Sequence, residues 1–180
     1  MSTLTYDEFL DRKTHLGMNE GFEPLWMPDF LFPFQHALTT WAIEKGRAAI
    51  FADCGLGKTP MQLVWAQNVV QKTNKPVLIL TPLSVGSQTA READKFGIEA
   101  KQSRDGKVAA PITITNYQQL HKFDWQQFGG VVCDESSILK SFDGAIRQQI
   151  TDFMRKLPYR LLCTATAAPN DYIELGTSSE

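Results

Sequence analysis

The stretch Ala48-Ala-Ile-Phe-Ala-Asp-Cys-Gly-Leu-Gly-Lys-Thr-Pro60 passes from a short apolar run directly into two glycines, a lysine and a threonine. An apolar run of that length reads as a buried strand. Gly55 and Gly57 admit backbone conformations closed to other residues, so successive N–H groups can turn inward as an anion nest at the start of a helix. Lys58 adds a mobile positive charge for outer phosphates, and Thr59 a hydroxyl for a magnesium ion. Pro60 falls in the first helical turn, where its missing N–H has no intrahelical partner to lose. The stretch predicts a strand, a phosphate loop over Cys54, Gly55, Leu56, Gly57, Lys58 and Thr59, and a helix.

The same grammar continues along the chain. Apolar runs at Ala48 to Ala52, Val77 to Thr81, Ile112 to Thr115, Gly130 to Asp134 and Arg160 to Thr164 predict buried parallel strands. Between them lie helical patterns at Lys58 to Lys72, Ser84 to Phe96, Asn116 to His121 (short) and Ser141 to Leu157, the last with a serine at its head. A further helix runs from Phe34 to a stop at Gly46. Alternation of this kind implies an α/β fold: a central, mainly parallel sheet covered on both faces, with ligands beyond the carboxyl ends of the strands. Residues 1–33 read as a separate arm, with a short helix at Tyr6 to Leu16 and then repeated glycine and proline breaks. Its apolar residues, Trp26 and Phe30 among them, predict packing on the domain formed by residues 34–180.

A phosphate loop needs carboxylates before it can hydrolyse what it holds. Gly130-Val-Val-Cys-Asp-Glu-Ser-Ser137 supplies two at a strand end, Asp134 for the magnesium and Glu135 for the attacking water. Composition adds bounds. With 180 residues and 43% hydrophobic content, one domain with a sizeable core is expected. A formal charge of −2 gives no chain-wide basic footprint, so nucleic-acid binding would use a local patch. Cys54, Cys133 and Cys163 show no metal-ligand spacing, nor do His15, His36 and His121. The cysteine usage and the acidic amino terminus predict a reducing, cytoplasmic setting.

Together these motifs resemble the first RecA-like lobe of superfamily-two helicases, the group of DEAD-box and DEAH-box proteins and Swi/Snf-type translocases, and phage helicase-like proteins in particular. Ala52-Asp-Cys-Gly-Leu-Gly-Lys-Thr59 has that group's A-x-x-G-x-G-K-T form, and Asp134-Glu-Ser-Ser137 resembles its D-E-x-x box. The resemblance implies a three-layer RecA-like P-loop domain that binds ATP and Mg2+. It implies that Phe34 and Gln35 meet the adenine, and that Thr81, Pro82, Thr115 and Asn116 lie in segments touching nucleic acid, DNA favoured over RNA. Ser137, Thr164 and Thr166 would couple the nucleotide state to the bound strand. Ser137 departs from the group's histidine or aspartate, and Ala167 from its proline. The sequence carries no second RecA-like lobe and so no arginine finger, which implies weak hydrolysis unless a longer chain or a partner supplies it. A non-catalytic nucleotide- or partner-binding module is the alternative reading. A small-molecule kinase would need an arginine-rich lid that the sequence lacks.

Overall fold

A computed structural model describes residues 20–53 and 55–165 of the chain. The expected helix at Tyr6 to Leu16 lies outside the described residues, as do Cys54 and Thr166. Six strands form one sheet: β1 Arg47–Phe51, β2 Val77–Thr81, β3 Ala100–Gln102, β4 Ile112–Asn116, β5 Gly130–Asp134 and β6 Tyr159–Thr164. Their order is β1-β6-β5-β2-β4-β3 and every pairing is parallel. The helices are α1 Pro33–Lys45, α2 Lys58–Thr73, α3 Gly86–Lys95 and α4 Gly144–Arg155.

The sheet's alternation builds three layers. Ile79, Ile112, Ile114, Val132 and Leu161 point to the face covered by α1, α2 and α3, where Ile43, Met61, Leu63, Trp65 and Ala93 are buried. Leu78, Leu80, Val131, Cys133 and Leu162 point the other way, onto Ile150, Phe153 and Met154 of α4 and onto Tyr117 and Leu120. Successive strand residues face opposite sides, so a strand covered on both has no polar face to show. Strands β2 and β5 are accordingly buried along their whole lengths.

Three details differ from the sequence reading. The cap of helix α4 lies two residues beyond the expected serine: Asp143 caps it, accepting a hydrogen bond from Ile146 N at 2.9 Å. Ser141 instead closes the preceding 3-10 turn, Ser136–Ser141, by donating to Ile138 O. The short helix expected near Asn116 is a 3-10 helix, Tyr117–Lys122, which Asn116 caps by accepting from Gln119 N. Strand β3 was not foreseen, because its three residues carry no apolar run.

Residues 20–32 lie against α1 and α2. Gly21 N and Phe22 N donate to Glu44 O and Ile43 O, and a Cβ on Gly21 would collide with Ile43 O. Asn68, fully buried on α2, accepts from Leu25 N (2.8 Å) and Trp26 N (3.0 Å) and donates to Trp26 O (2.8 Å). Phe30 stacks on Phe96, with ring centroids 4.4 Å apart, and Trp26 meets Phe30 edge-on. No helix among the described residues is long and apolar enough to cross a membrane.

Candidate nucleotide site

The sheet order places the candidate residues side by side. Strand β6 lies between β1 and β5, pairing Phe51 with Thr164 on one side and Asp134 with Cys163 on the other. The loop after β1, the end of β6 and the Asp134-Glu135 pair therefore meet at the carboxyl ends of three neighbouring strands. A crossover through α2 carries the chain from β1 past two strands to β2, which opens the crevice where α/β sheets take ligands.

Both loop glycines have positive φ, +88° at Gly55 and +70° at Gly57. At Gly55 the constraint is backbone conformation alone, since an added Cβ would have open space. At Gly57, which caps α2 in the left-handed region, an added Cβ would also overlap the Gln35 side chain. Gln35 is buried and its amide is fully engaged. Its Oε1 accepts from Phe32 N at 3.0 Å, and its Nε2 donates to Leu56 O at 3.1 Å and Gly57 O at 3.2 Å. It thus ties the start of α1 to the loop. Phe34 is 43% exposed, its ring parallel to that of Phe32. Lys58 Nζ donates to Ala52 O at 3.2 Å and lies 3.5 Å from Glu135 Oε2. Thr59 follows in the first turn of α2, whose leading N–H groups have no partners within the helix.

The two carboxylates have opposite environments. Asp134 is 8% exposed; burial pushes its carboxyl above its ordinary value, against the hydrogen bond from Gln62 and the charge of Lys58. Gln62 Nε2 donates to Asp134 Oδ1 at 2.7 Å, and Tyr117 OH donates to the Asp134 carbonyl at 2.6 Å. Partial burial would raise Glu135 too, but the hydroxyls of Ser137 and Thr164 and the Lys58 ammonium hold it below its ordinary value. Glu135 is a non-glycine residue in the left-handed region, φ +50°. That conformation turns its side chain back toward the end of β6 and is held by three donors.

A hydroxyl and a carboxylate are hard oxygen donors of the kind that Mg2+ takes. Asp134 fits such an ion: Gln62 takes Oδ1, the Glu135 main-chain N–H also supports the carboxylate, and no other side chain among the described residues donates to it. Away from this cluster, Thr81, Thr115 and Asn116 are buried at the ends of β2 and β4, and Thr81 Oγ1 donates to Thr115 O. Pro82 is half-buried, and Leu83 beside it is exposed. Gln62 and Tyr117 were not singled out from sequence. The available signal was Gln62 itself, a polar residue inside the apolar run Met61 to Ala66.

An all-parallel three-layer sheet with a glycine-rich loop after its first strand and an Asp-Glu pair two strands away is a RecA-like P-loop lobe, and comparison with known proteins places it more narrowly. The Sulfolobus solfataricus SWI2/SNF2 ATPase core in complex with dsDNA superposes with a TM-score of 0.68 at 24% identity, over 84% of this chain and 35% of that one. The UvsW helicase from bacteriophage T4 gives 0.66 at 15% identity, over 99% of this chain and 66% of that one. The chain has the fold of these helicase and SWI2/SNF2 lobes, as the motifs implied. Among curated proteins, protein p41 of Acyrthosiphon pisum secondary endosymbiont phage 1 is 28% identical over 169 residues, covering 79% of this chain and 37% of p41. The chain thus spans little more than a third of p41 and of the SWI2/SNF2 core. A scan against models of protein families finds no match.

Proposed function

We propose that this chain is the ATP-binding lobe of a nucleic-acid-dependent ATPase, a helicase or translocase, made of a lobe over residues 34–180 and an arm over residues 1–33. One observation carries the reading: the loop after β1, Thr164 after β6 and Asp134-Glu135 after β5 converge, with Lys58 Nζ 3.5 Å from Glu135. In this reading the loop from Cys54 to Thr59 cradles the phosphates through its main-chain amides. Lys58 exchanges Ala52 O and Glu135 for the outer phosphate oxygens. Thr59 and Asp134 would hold Mg2+, which when bound supplies positive charge against the phosphate oxygens. Releasing Lys58 frees Glu135, already ionised near neutral pH, to orient a water and accept its proton. Phe34 and Gln35 meet the adenine, Gln35 by giving up hydrogen bonds to Leu56 O and Gly57 O, which links the base to the loop.

Thr81, Pro82, Thr115 and Asn116 line the edge assigned to nucleic acid, DNA in preference to RNA. With three of them buried, contact there falls to the backbone and to neighbours such as Leu83. A second RecA-like lobe, in a longer chain or a partner, supplies the arginine finger. Its lack typically lowers turnover by roughly 10³ to 10⁵. Ser137, Thr164 and Thr166 couple the two lobes' states.

The test is ATP turnover with and without single- and double-stranded DNA and RNA, on this chain and on the longest natural version of it. Slow turnover here, stimulation by nucleic acid in the longer protein, and nucleotide binding that survives Glu135→Gln are expected. Turnover of about 1 s⁻¹ or more by this chain alone, abolished by Lys58→Ala, would contradict the need for a second lobe.

A further inference from the structure

Helix α2 carries one polar side chain in its most buried stretch. Between Met61 and Ala66 every residue is buried, and all but Gln62 are apolar. Gln62 is completely shielded from solvent, yet only half of its amide is used. Its Nε2 donates to Asp134 Oδ1 at 2.7 Å, while Oε1 has no partner among the described residues. The orientation is fixed by chemistry: an ionised carboxylate only accepts, so the amide must present its nitrogen. A buried, unpaired amide oxygen costs about 1–3 kcal/mol, which a leucine or methionine at this position would avoid. Packing therefore does not account for the glutamine.

We infer that Gln62 is a positioning residue for Asp134, locking the carboxylate rotamer so that Oδ2 is presented to the metal. The inference rests on the proposed nucleotide site. Asp134 is gripped at two points, since Tyr117 OH holds its carbonyl at 2.6 Å while Gln62 holds one carboxylate oxygen. With main chain and Oδ1 both fixed, the remaining freedom of the side chain is small, and Oδ2 is the oxygen to which no side chain among the described residues donates. Because the helix that carries Gln62 begins at Lys58 and Thr59, one rigid element positions the lysine, the threonine hydroxyl and the donor that orients the aspartate. Partners of this kind are typically worth 10- to 100-fold in metal affinity.

The experiment measures binding of a fluorescent ADP analogue to the full 180-residue chain across a Mg2+ titration, for wild type and Gln62→Met. Methionine keeps the volume and removes the donor. The Mg2+ concentration for half-maximal tightening should rise roughly tenfold or more, while affinity in excess chelator stays unchanged. A merely structural role would weaken both. Should Gln62→Met fail to fold, Gln62→Asn makes the same test, withdrawing the amide by one methylene. A folded variant with the wild-type Mg2+ requirement overturns the role of Gln62. Wild-type nucleotide binding that ignores Mg2+ overturns the site reading and this inference with it.

Discussion

Thr164 Oγ1 donates to Glu135 Oε1 at 3.1 Å, linking the last residue of β6 to the residue just beyond β5. Ser137 Oγ donates to the same oxygen at 2.8 Å, so two hydroxyls share one acceptor and leave Oε2 to Lys58. Any displacement of β6 is then felt at the carboxylate assigned to the water. This gives β6 a direct mechanical link to the proposed chemistry.

Thr164→Val keeps the shape and deletes the donor. Hydrogen bonds to charged groups are worth about 1.5–3 kcal/mol, so nucleic-acid-stimulated turnover should fall roughly 10-fold or more while nucleotide affinity is kept. Ser137→Ala should act in the same direction, and the double variant should fall short of the product of the two effects, because both donors serve one oxygen. Steady-state rates of the four proteins, in the longest natural version, make the check. Independent, multiplicative losses would show that the hydroxyls do not act through Glu135.

Gly57 faces two obstacles to substitution. Its φ of +70° is costly for any L-residue, and a new Cβ would overlap the Gln35 amide that ties α1 to the loop. Gly57→Ala should lower stability by about 1–2 kcal/mol and weaken ATP binding well beyond what the stability loss explains. Gly55→Ala meets only the backbone penalty and should be the milder of the two. Melting temperatures and nucleotide titrations on the pair separate steric from conformational causes.

Asp134 and Glu135 pull the pH dependence in opposite directions. The folded state holds the Asp134 proton more tightly than the unfolded chain does, so its contribution is fully present below the unfolded value and is lost as pH rises through the folded one. Glu135 contributes above its unfolded value, and that is lost as pH falls through its lowered folded value. Asp134→Asn removes the buried charge and lets Gln62 turn to pair its idle oxygen. At neutral pH without nucleotide it should raise Tm by about 2–4 °C, the response of a domain this size to 1 kcal/mol. The gain should shrink toward pH 4, and Mg2+-dependent nucleotide binding should disappear. A variant less stable than wild type at pH 7 would refute the assigned desolvation.

What the sequence disclosed, and what it hid, follows from the kind of physics each feature rests on. Central strands such as β2 and β5 are covered on both faces, so they read as unbroken apolar runs and could be placed directly. Strand β3 sits at the edge with Lys101 exposed, and three residues leave no pattern. The glycine-rich loop after β1 was legible because positive φ demands glycine, and Gly55 and Gly57 sit where it is needed. Glu135 carries the same backbone demand without a glycine to announce it. Gln62 was invisible for another reason: hydrophobic periodicity averages over a helix, and one polar residue in a buried run counts as noise until its partner, 72 positions away in the chain, is seen.

Asn68 offers a test of how residues 20–32 are held. Its Oδ1 accepts from two successive main-chain N–H groups, those of Leu25 and Trp26, and its Nδ2 donates to Trp26 O and to Val64 O. One side chain thus satisfies three backbone groups of a segment without regular secondary structure, a debt that helix or sheet would otherwise meet. Asn68→Leu leaves those three groups facing an apolar surface, and the segment's least costly response is to lift into water. The loss is therefore bounded by the segment's own docking energy, and global stability should drop by only about 2–3 kcal/mol although four hydrogen bonds vanish. Amide exchange at Leu25 and Trp26 should approach that of unprotected amides, while Leu78 to Leu80 in β2 accelerate only by the roughly 30- to 140-fold that the global loss implies and stay protected. Equal residual protection in the two regions of the variant would show instead that residues 20–32 open together with the sheet rather than ahead of it.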